Sequence, residues 1–274
     1  MAQCSCASVD RLEALNRTSM QERVDSSKFR NPRGIGIKYF YDWPELQPSQ
    51  MDGPLCVEQY VQQQARLHRH ETDWLLDVPA IALSKVSDDS DPLNCVDEFG
   101  SWKYENLKQF CIELNDLVVT LQGVCTPTSC PAMVDDSKSV YMCAGHTKPK
   151  DCSAIDYMHH TLDSASLLLT DAIQCFPSRM AVTEKAVSRL CSTSRRLYRL
   201  LTHAYHCHRR HFDAFELETS LCTRFTVFVK HFKMMKDDNL LKNIKINIDR
   251  ENTDDINDAI ASFDNIIEEE EINE

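Results

Sequence analysis

The stretch that most constrains this chain is Thr183 to Phe212, TEKAVSRLCSTSRRLYRLLTHAYHCHRRHF. Val187, Leu190, Leu197, Leu201 and Ala204 recur at the spacing of one helix face, which predicts a long central helix with a buried stripe. Such a stripe has to be covered by other elements. In the same stretch Arg195, Arg196 and Arg199 fall within one turn, close enough in angle for their guanidinium groups to converge on a single phosphate. His203 and His208 follow directly, and two cysteines far upstream, Cys125 and Cys130, offer the other half of a zinc site.

A chain of 274 residues can bury a full core without disulfides, so one main domain with tails is expected. No apolar run is long enough to span a bilayer, and MAQCSCASVDRLEALNR has no apolar block of the secretory kind, which predicts a cytoplasmic protein. The 13 cysteines are odd in number and sit in a large chain without a signal peptide, which points to thiols and a metal site rather than a disulfide framework. The formal charge of −12 is uneven: from Asp237 onward there are 13 acidic and 3 basic residues, leaving 29 and 27 for everything before. A nearly neutral body with an acidic tail is poor equipment for nucleic acid, which is gripped by clustered Lys and Arg. Nucleic-acid binding is therefore set aside.

In chain order, residues 1–37 read as a flexible leader, with Val9 to Leu15 a short helix and Cys4 and Cys6 as free thiols. Asp52 and Pro54 then open a helix that carries Leu55, Tyr60 and Val61 inward. Residues 82–100 form an acidic loop. After Ser101 a helix places Leu107, Phe110, Cys111, Leu114, Leu117, Val118 and Leu121 on one face, and Gly123 ends it as the left-handed residue. Cys125 and Cys130 lie just beyond, in VCTPTSCP, where two prolines stiffen the loop. SVYMCAG is the one plausible strand. A helix over 154–173 carries Ile155, Leu162, Leu169 and Ala172, and a last one over 216–234 carries Leu221, Phe225, Phe228 and Phe232. Four amphipathic helices with short connections predict an all-α bundle. The tail, residues 237–274, is expected to be disordered.

Cys-x4-Cys with His-x4-His supplies the four ligands of a structural zinc, here as a staple between distant elements. Positions five apart on a helix differ by about 140°, so His203 and His208 converge only if the helix bends or one side chain reaches around. His203 with Cys207 suits a straight helix, and His206 and His211 compete. Cys143, His146 and Cys152 in CAGHTKPKDC also have ligand spacing, but show three candidates without a fourth and read as a loop with buried thiols.

Several blocks together resemble the Mob family, and specifically its phocein branch: KYFYDWPE, WKYENLKQFCIELNDLVVTLQ with CTPTSC, CAGHTKPKDCSAIDYMHHTLD, FPSR, SRRLYRLLTHAYHCHRRHFD and LCTRFTVFVKHFKMMKDDNLL. The resemblance runs from about Lys38 to Leu241 and implies a Mob/phocein domain over 38–236. It implies an all-α fold around a four-helix bundle with flanking short helices and a loop or hairpin segment, stapled by a structural zinc on Cys125, Cys130, His203 and His208. It implies a non-enzymatic adaptor that binds phosphorylated peptide segments through Arg195, Arg196 and Arg199. The partners it implies are a striatin-type scaffold, a serine/threonine phosphatase core and Ste20-like kinases, with at most peripheral association with Golgi or vesicle membranes. The stretch VDDSKSVYMCAG departs by lacking the tryptophan usual before this cysteine in phocein, and the 82–100 loop and both tails look enlarged.

Two other functions compete. A zinc hydrolase keeps a coordination position open for water and uses a nearby Glu as base, whereas this chain has no HExxH motif and offers four Cys and His ligands. A purely structural scaffold subunit would share the metal but not the phosphate recognition.

Overall fold

The computed structural model describes residues 45–51, 53–84, 95–134, 140–171 and 176–241. The expected leader with Cys4 and Cys6, the middle of the acidic loop and the tail from residue 242 lie outside the described residues. The chain divides into two compact units, residues 1–63 and 64–274.

In the first unit a 3-10 turn, Pro48–Gln50, precedes helix α1, Cys56–Leu67, which runs on into the second. Leu46 and Gln63 exchange both amide hydrogen bonds at 2.9 Å, tying the turn to the helix. Val61 is buried as expected, but Leu55 is 50 % exposed because the helix starts one residue after it. Asp52, the expected cap, lies outside the described residues.

The second unit is built from α2 (Asp73–Leu76), α3 (Gly100–Leu121), α4 (Ala154–Leu169), α5 (Glu184–Cys207), α6 (Arg209–Thr219) and α7 (Leu221–His231). Among the described residues there is no strand. The expected strand SVYMCAG supplies only two isolated antiparallel pairs, Val134 with Val140 and Cys143 with Lys150. The architecture is all-α, with α5 at the centre packed on α3, α4 and α6. Its predicted stripe, Val187, Leu190, Leu197, Leu201 and Ala204, is buried in full.

Local chemistry sets where the helices begin. Ser153 and Thr183 cap α4 and α5 by accepting the amides of Asp156 and Ala186. Residues 95–97 cross 182–184, with Asp97 N donating to Val182 O at 2.9 Å and Glu184 N to Cys95 O at 3.0 Å. That crossing fixes the starts of α3 and α5 side by side, and Gly100 is required there because a Cβ would come within 2.8 Å of Val182 O. Deeper in, Phe110 stacks on Phe225 with ring centroids 4.6 Å apart, and buried Arg224 forks onto Glu113.

Four helix boundaries differ from the sequence expectation. Gly123 is not left-handed; α3 runs out through right-handed turns in which Cys125 N donates to Leu121 O at 2.7 Å, carrying the chain straight to the cysteine. The central helix does not reach Phe212, because His208 adopts φ −132° and ψ 47° and separates α5 from α6. The helix expected over 216–234 is broken at Ser220, φ 50°, where the Glu216 carboxylate accepts the amides of Cys222 at 2.7 Å and Thr223 at 2.8 Å and so caps α7. The helix expected to reach Ile173 ends at Leu169, and Ala172 and Ile173 lie outside the described residues. The acidic segment opens with a 3-10 turn, Asp237–Asn239, and the Leu241 amide donates to the Tyr198 hydroxyl at 3.2 Å.

Candidate metal centre and the arginine face

The loop after α3 is organised by its own side chains. Thr126 and Ser129 cross-bond, Thr126 N to Ser129 Oγ at 2.8 Å and Ser129 N to Thr126 Oγ1 at 3.1 Å, while Ser129 Oγ donates to Val124 O. Cys130 N closes the turn onto Thr126 O at 2.8 Å, and Cys130 O accepts the amide of Ala154 at the start of α4. Cys125 and Cys130 are thereby held on one side of the turn. They face the C-terminal end of α5.

Cys125 Sγ lies 3.7 Å from His203 Nε2, and Cys130 Sγ lies 3.4 Å from His208 Nε2. All four ligand atoms fall within 4.8 Å of one another. The structure thus assembles Cys125, Cys130, His203 and His208 and leaves Cys207, His206 and His211 outside the cluster. The five-residue spacing works because the break at His208 takes its ring off the helix.

The donor set fits a closed metal site. A tetrahedral ion with Zn–S near 2.3 Å and Zn–N near 2.0 to 2.1 Å places sulfur and nitrogen ligands about 3.5 Å apart, which both pairs approach. His203 Nδ1 sits 3.2 Å from Val134 O, so a proton there donates to the carbonyl and leaves the Nε2 lone pair facing Cys125, the outer-shell arrangement common to ligating histidines. Burial, followed by Cys130 and Cys207, pushes the Cys125 thiol up to about 12. Burial, then His203 and His211, pulls His208 down to about 4. A buried divalent cation reverses the thiol's preference and takes the neutral imidazoles as they are.

The arginines sit one to two turns before His203 on α5. Arg195 and Arg196 are exposed, and Arg195 Nη2 donates to Ser192 Oγ at 3.1 Å. Arg199 is turned inward: Nη1 donates to Tyr157 Oη at 2.8 Å, and the guanidinium lies 4.2 Å over the Tyr141 ring. Arg196 also lines a groove of about 500 Å³ between α4 and α5, with Thr161, Ser164, Ser188, Arg189 and Ser192. Arg189 is a basic residue the sequence reading missed; lying seven positions before Arg196, it shares that face of the helix.

A second Cys/His cluster is also present. His160, on α4, brings its Nδ1 to the group formed by Cys143, His146 and Cys152, with all four ligand atoms again within 4.8 Å. The fourth candidate that the sequence reading did not find is therefore His160. Its signal was the helix cap at Ser153, which puts His160 seven positions, two turns, further on and aligned with the end of the Cys152 loop.

With this geometry in hand, comparison with known proteins gives one answer. The Mob1/phocein family profile matches residues 95–242. The MOB kinase activator-like 4 of Drosophila melanogaster is 42% identical over 217 residues, covering 79% of this chain and 90% of that protein. The MOB-like protein phocein of Caenorhabditis elegans is 39% identical, covering 77% and 88%. A more distant relative is the maintenance of ploidy protein mob1 of Schizosaccharomyces pombe, 31% identical over 141 residues. The profile takes in both halves of the first Cys/His cluster, and the two nearer relatives span most of their own length here, so this chain belongs to the Mob1/phocein family.

Proposed function

We propose that the chain is a non-catalytic adaptor of kinase-associated complexes, stabilised by a structural zinc on Cys125, Cys130, His203 and His208. It binds phosphorylated segments through Arg195, Arg196 and Arg199, and by family resemblance it bridges a striatin-type scaffold, a serine/threonine phosphatase core and Ste20-like kinases. It works in the cytoplasm, at most peripherally at Golgi or vesicle membranes. Among the described residues no helix is long and apolar enough to cross a membrane.

The observation that supports this reading best is that the arginine turn and two ligands of a closed Cys2His2 cluster share α5. Four protein ligands complete a tetrahedron, leaving no position for an activated water. A metal so placed holds the end of α5 against the loop after α3. A phosphate set on the exposed guanidinium groups gains two or more charge-assisted hydrogen bonds that an unmodified hydroxyl cannot make.

The test is binding of phosphothreonine peptides and their unphosphorylated counterparts to Arg195→Ala/Arg196→Ala, the two arginines that do not support neighbouring tyrosines. At roughly 1.5 to 3 kcal/mol per charged hydrogen bond lost, affinity for the phosphorylated form falls at least tenfold. Equal affinity of variant and wild type leaves a structural subunit without phosphate recognition, a role favoured by the inward turn of Arg199. Capture of partners that is unaffected by prior phosphatase treatment speaks for the same alternative.

A further inference from the structure

We propose that this chain carries a second, independent zinc site formed by Cys143 Sγ, His146 Nε2, Cys152 Sγ and His160 Nδ1, which braces the Tyr141 segment under Arg199. His146 Nε2 lies 3.0 Å from Cys152 Sγ, and His160 Nδ1 lies 3.5 Å from Cys143 Sγ and 3.8 Å from Cys152 Sγ. These separations bracket the roughly 3.5 Å that a tetrahedral zinc imposes between sulfur and nitrogen ligands. The rings of His146 and His160 stand nearly perpendicular, 84° apart with centroids at 4.7 Å, so each can direct a different nitrogen to a common point without stacking. Two soft thiolates with two imidazoles select zinc over the hard, oxygen-seeking cations.

The loop is built to present these atoms. Cys143 pairs with Lys150 in both directions, N to O at 2.8 Å and O from N at 3.3 Å, closing the turn that contains His146. The Gly145 amide points at Cys143 Sγ at 3.5 Å, an N–H to sulfur contact that fixes the sulfur's position in the turn. Gly145 also lets the turn approach α4, since a Cβ would come within 2.9 Å of His160 Cβ. Cys143 is 1 % exposed and Cys152 9 %, so the sulfurs are shielded while the histidines close the rim. A disulfide between the two cysteines would leave both imidazoles directed at sulfur for no reason.

The brace follows from connectivity. Tyr141, whose ring lies under Arg199, stands two residues before Cys143, and its amide donates to Met133 O at 2.8 Å. Val134, next in line, accepts from His203 of the first cluster and pairs with Val140. A metal at the second site therefore fixes the far end of the segment that the first site holds at its near end. Nothing in this requires the arginines to bind phosphate.

The experiment is elemental analysis of the full chain after exhaustive dialysis, with zinc counted per polypeptide. Two equivalents are expected for wild type, and one for Cys143→Ser/His160→Ala with its helical circular dichroism unchanged. One equivalent in wild type, or two retained in the variant, overturns the site. Should the variant fail to fold, anomalous scattering at the zinc edge from crystals of the wild type decides: a peak enclosed by Cys143, His146, Cys152 and His160 is expected, whereas no peak there, or a Cys143–Cys152 disulfide in its place, overturns the site. Faster hydrogen exchange at residues 140–143 in the variant is the expected sign of the brace, and unchanged exchange there removes that part of the proposal.

Discussion

The two Cys/His clusters share a donor set and nearly the same interatomic spacing, yet they are assembled in opposite ways. The first draws its pairs from positions 78 apart, joining the exit of α3 to the α5–α6 junction. The second lies wholly between Cys143 and His160, a loop folded onto the helix it leads into. Chain entropy does not separate them. Closing a loop of 78 residues is worth about 4.5 kcal/mol in that model and a loop of a dozen or so about 3, because the dependence is logarithmic. What differs is the load. Cys125 is fully buried and His203 1 % exposed, at the meeting of core helices, whereas the second cluster closes over a surface loop.

The largest effect is therefore expected at the first cluster. A structural zinc contributes roughly 10 to 16 kcal/mol, as much as the whole stability of a typical domain of 5 to 15 kcal/mol. Cys125→Ser/His203→Ala, or chelation of wild type, should abolish the cooperative thermal transition followed by near-ultraviolet circular dichroism. A variant that still melts cooperatively within a few degrees of wild type would erase the distinction between the clusters.

A control for general weakening lies further along the same helical arm. The chain breaks twice there, at His208, itself one of the candidate ligands, and at Ser220, where the buried Glu216 carboxylate does the holding. Glu216→Gln turns an acceptor into a donor facing the amides of Cys222 and Thr223, so stability should fall by about 2 to 3 kcal/mol. Its metal content should stay at the wild-type value in elemental analysis. Zinc loss in this variant would mean that the clusters report fold stability in general.

Gly145→Ala probes the second cluster with one carbon. The added Cβ meets His160 Cβ at 2.9 Å, and overpacking of that kind costs roughly 1 to 3 kcal/mol. The cost should stay local: one zinc equivalent lost and faster hydrogen exchange over 143–150, with the global melting temperature lowered by only a few degrees. A large global shift would make the second cluster as central as the first.

What could be read from the sequence follows the range of the interactions. The buried stripe of α5 and the core face of α3 are periodic patterns, and they survive because burial of each face is decided within the helix. The breaks at His208 and Ser220 have no periodic signature; the first depends on a ring leaving the helix toward cysteines 78 positions away, and the second on a side chain capping the next helix. Residue type alone points to a left-handed Gly123, but the Cys125 amide bonds back to Leu121 and the chain stays right-handed. His160 was missed because its partners lie in a loop, where spacing along the chain says little about direction. The quartet Cys125, Cys130, His203 and His208 came from family resemblance, since spacing alone left Cys207, His206 and His211 in contention.

The smallest expected effect separates the arginines from one another, and it tests whether the second cluster reaches beyond its own loop. Arg195 and Arg196 are exposed, and the described contact of Arg195 is a surface hydroxyl, so replacing both with Ala should change stability by no more than about 0.5 kcal/mol. Arg199 is half-buried, bonded to Tyr157 and laid over Tyr141, and Arg199→Ala should cost about 1 to 2 kcal/mol, the sum of a modest cation–π contact and one hydrogen bond. If the second cluster braces Tyr141, the cost of Arg199→Ala should shrink when it is made on top of Cys143→Ser/His160→Ala, because the ring is then no longer held beneath the guanidinium. A double-mutant cycle by chemical denaturation measures this coupling directly. Strict additivity would mean that the contact of Arg199 with Tyr141 does not depend on the second cluster, which then shapes its loop without touching the arginine face.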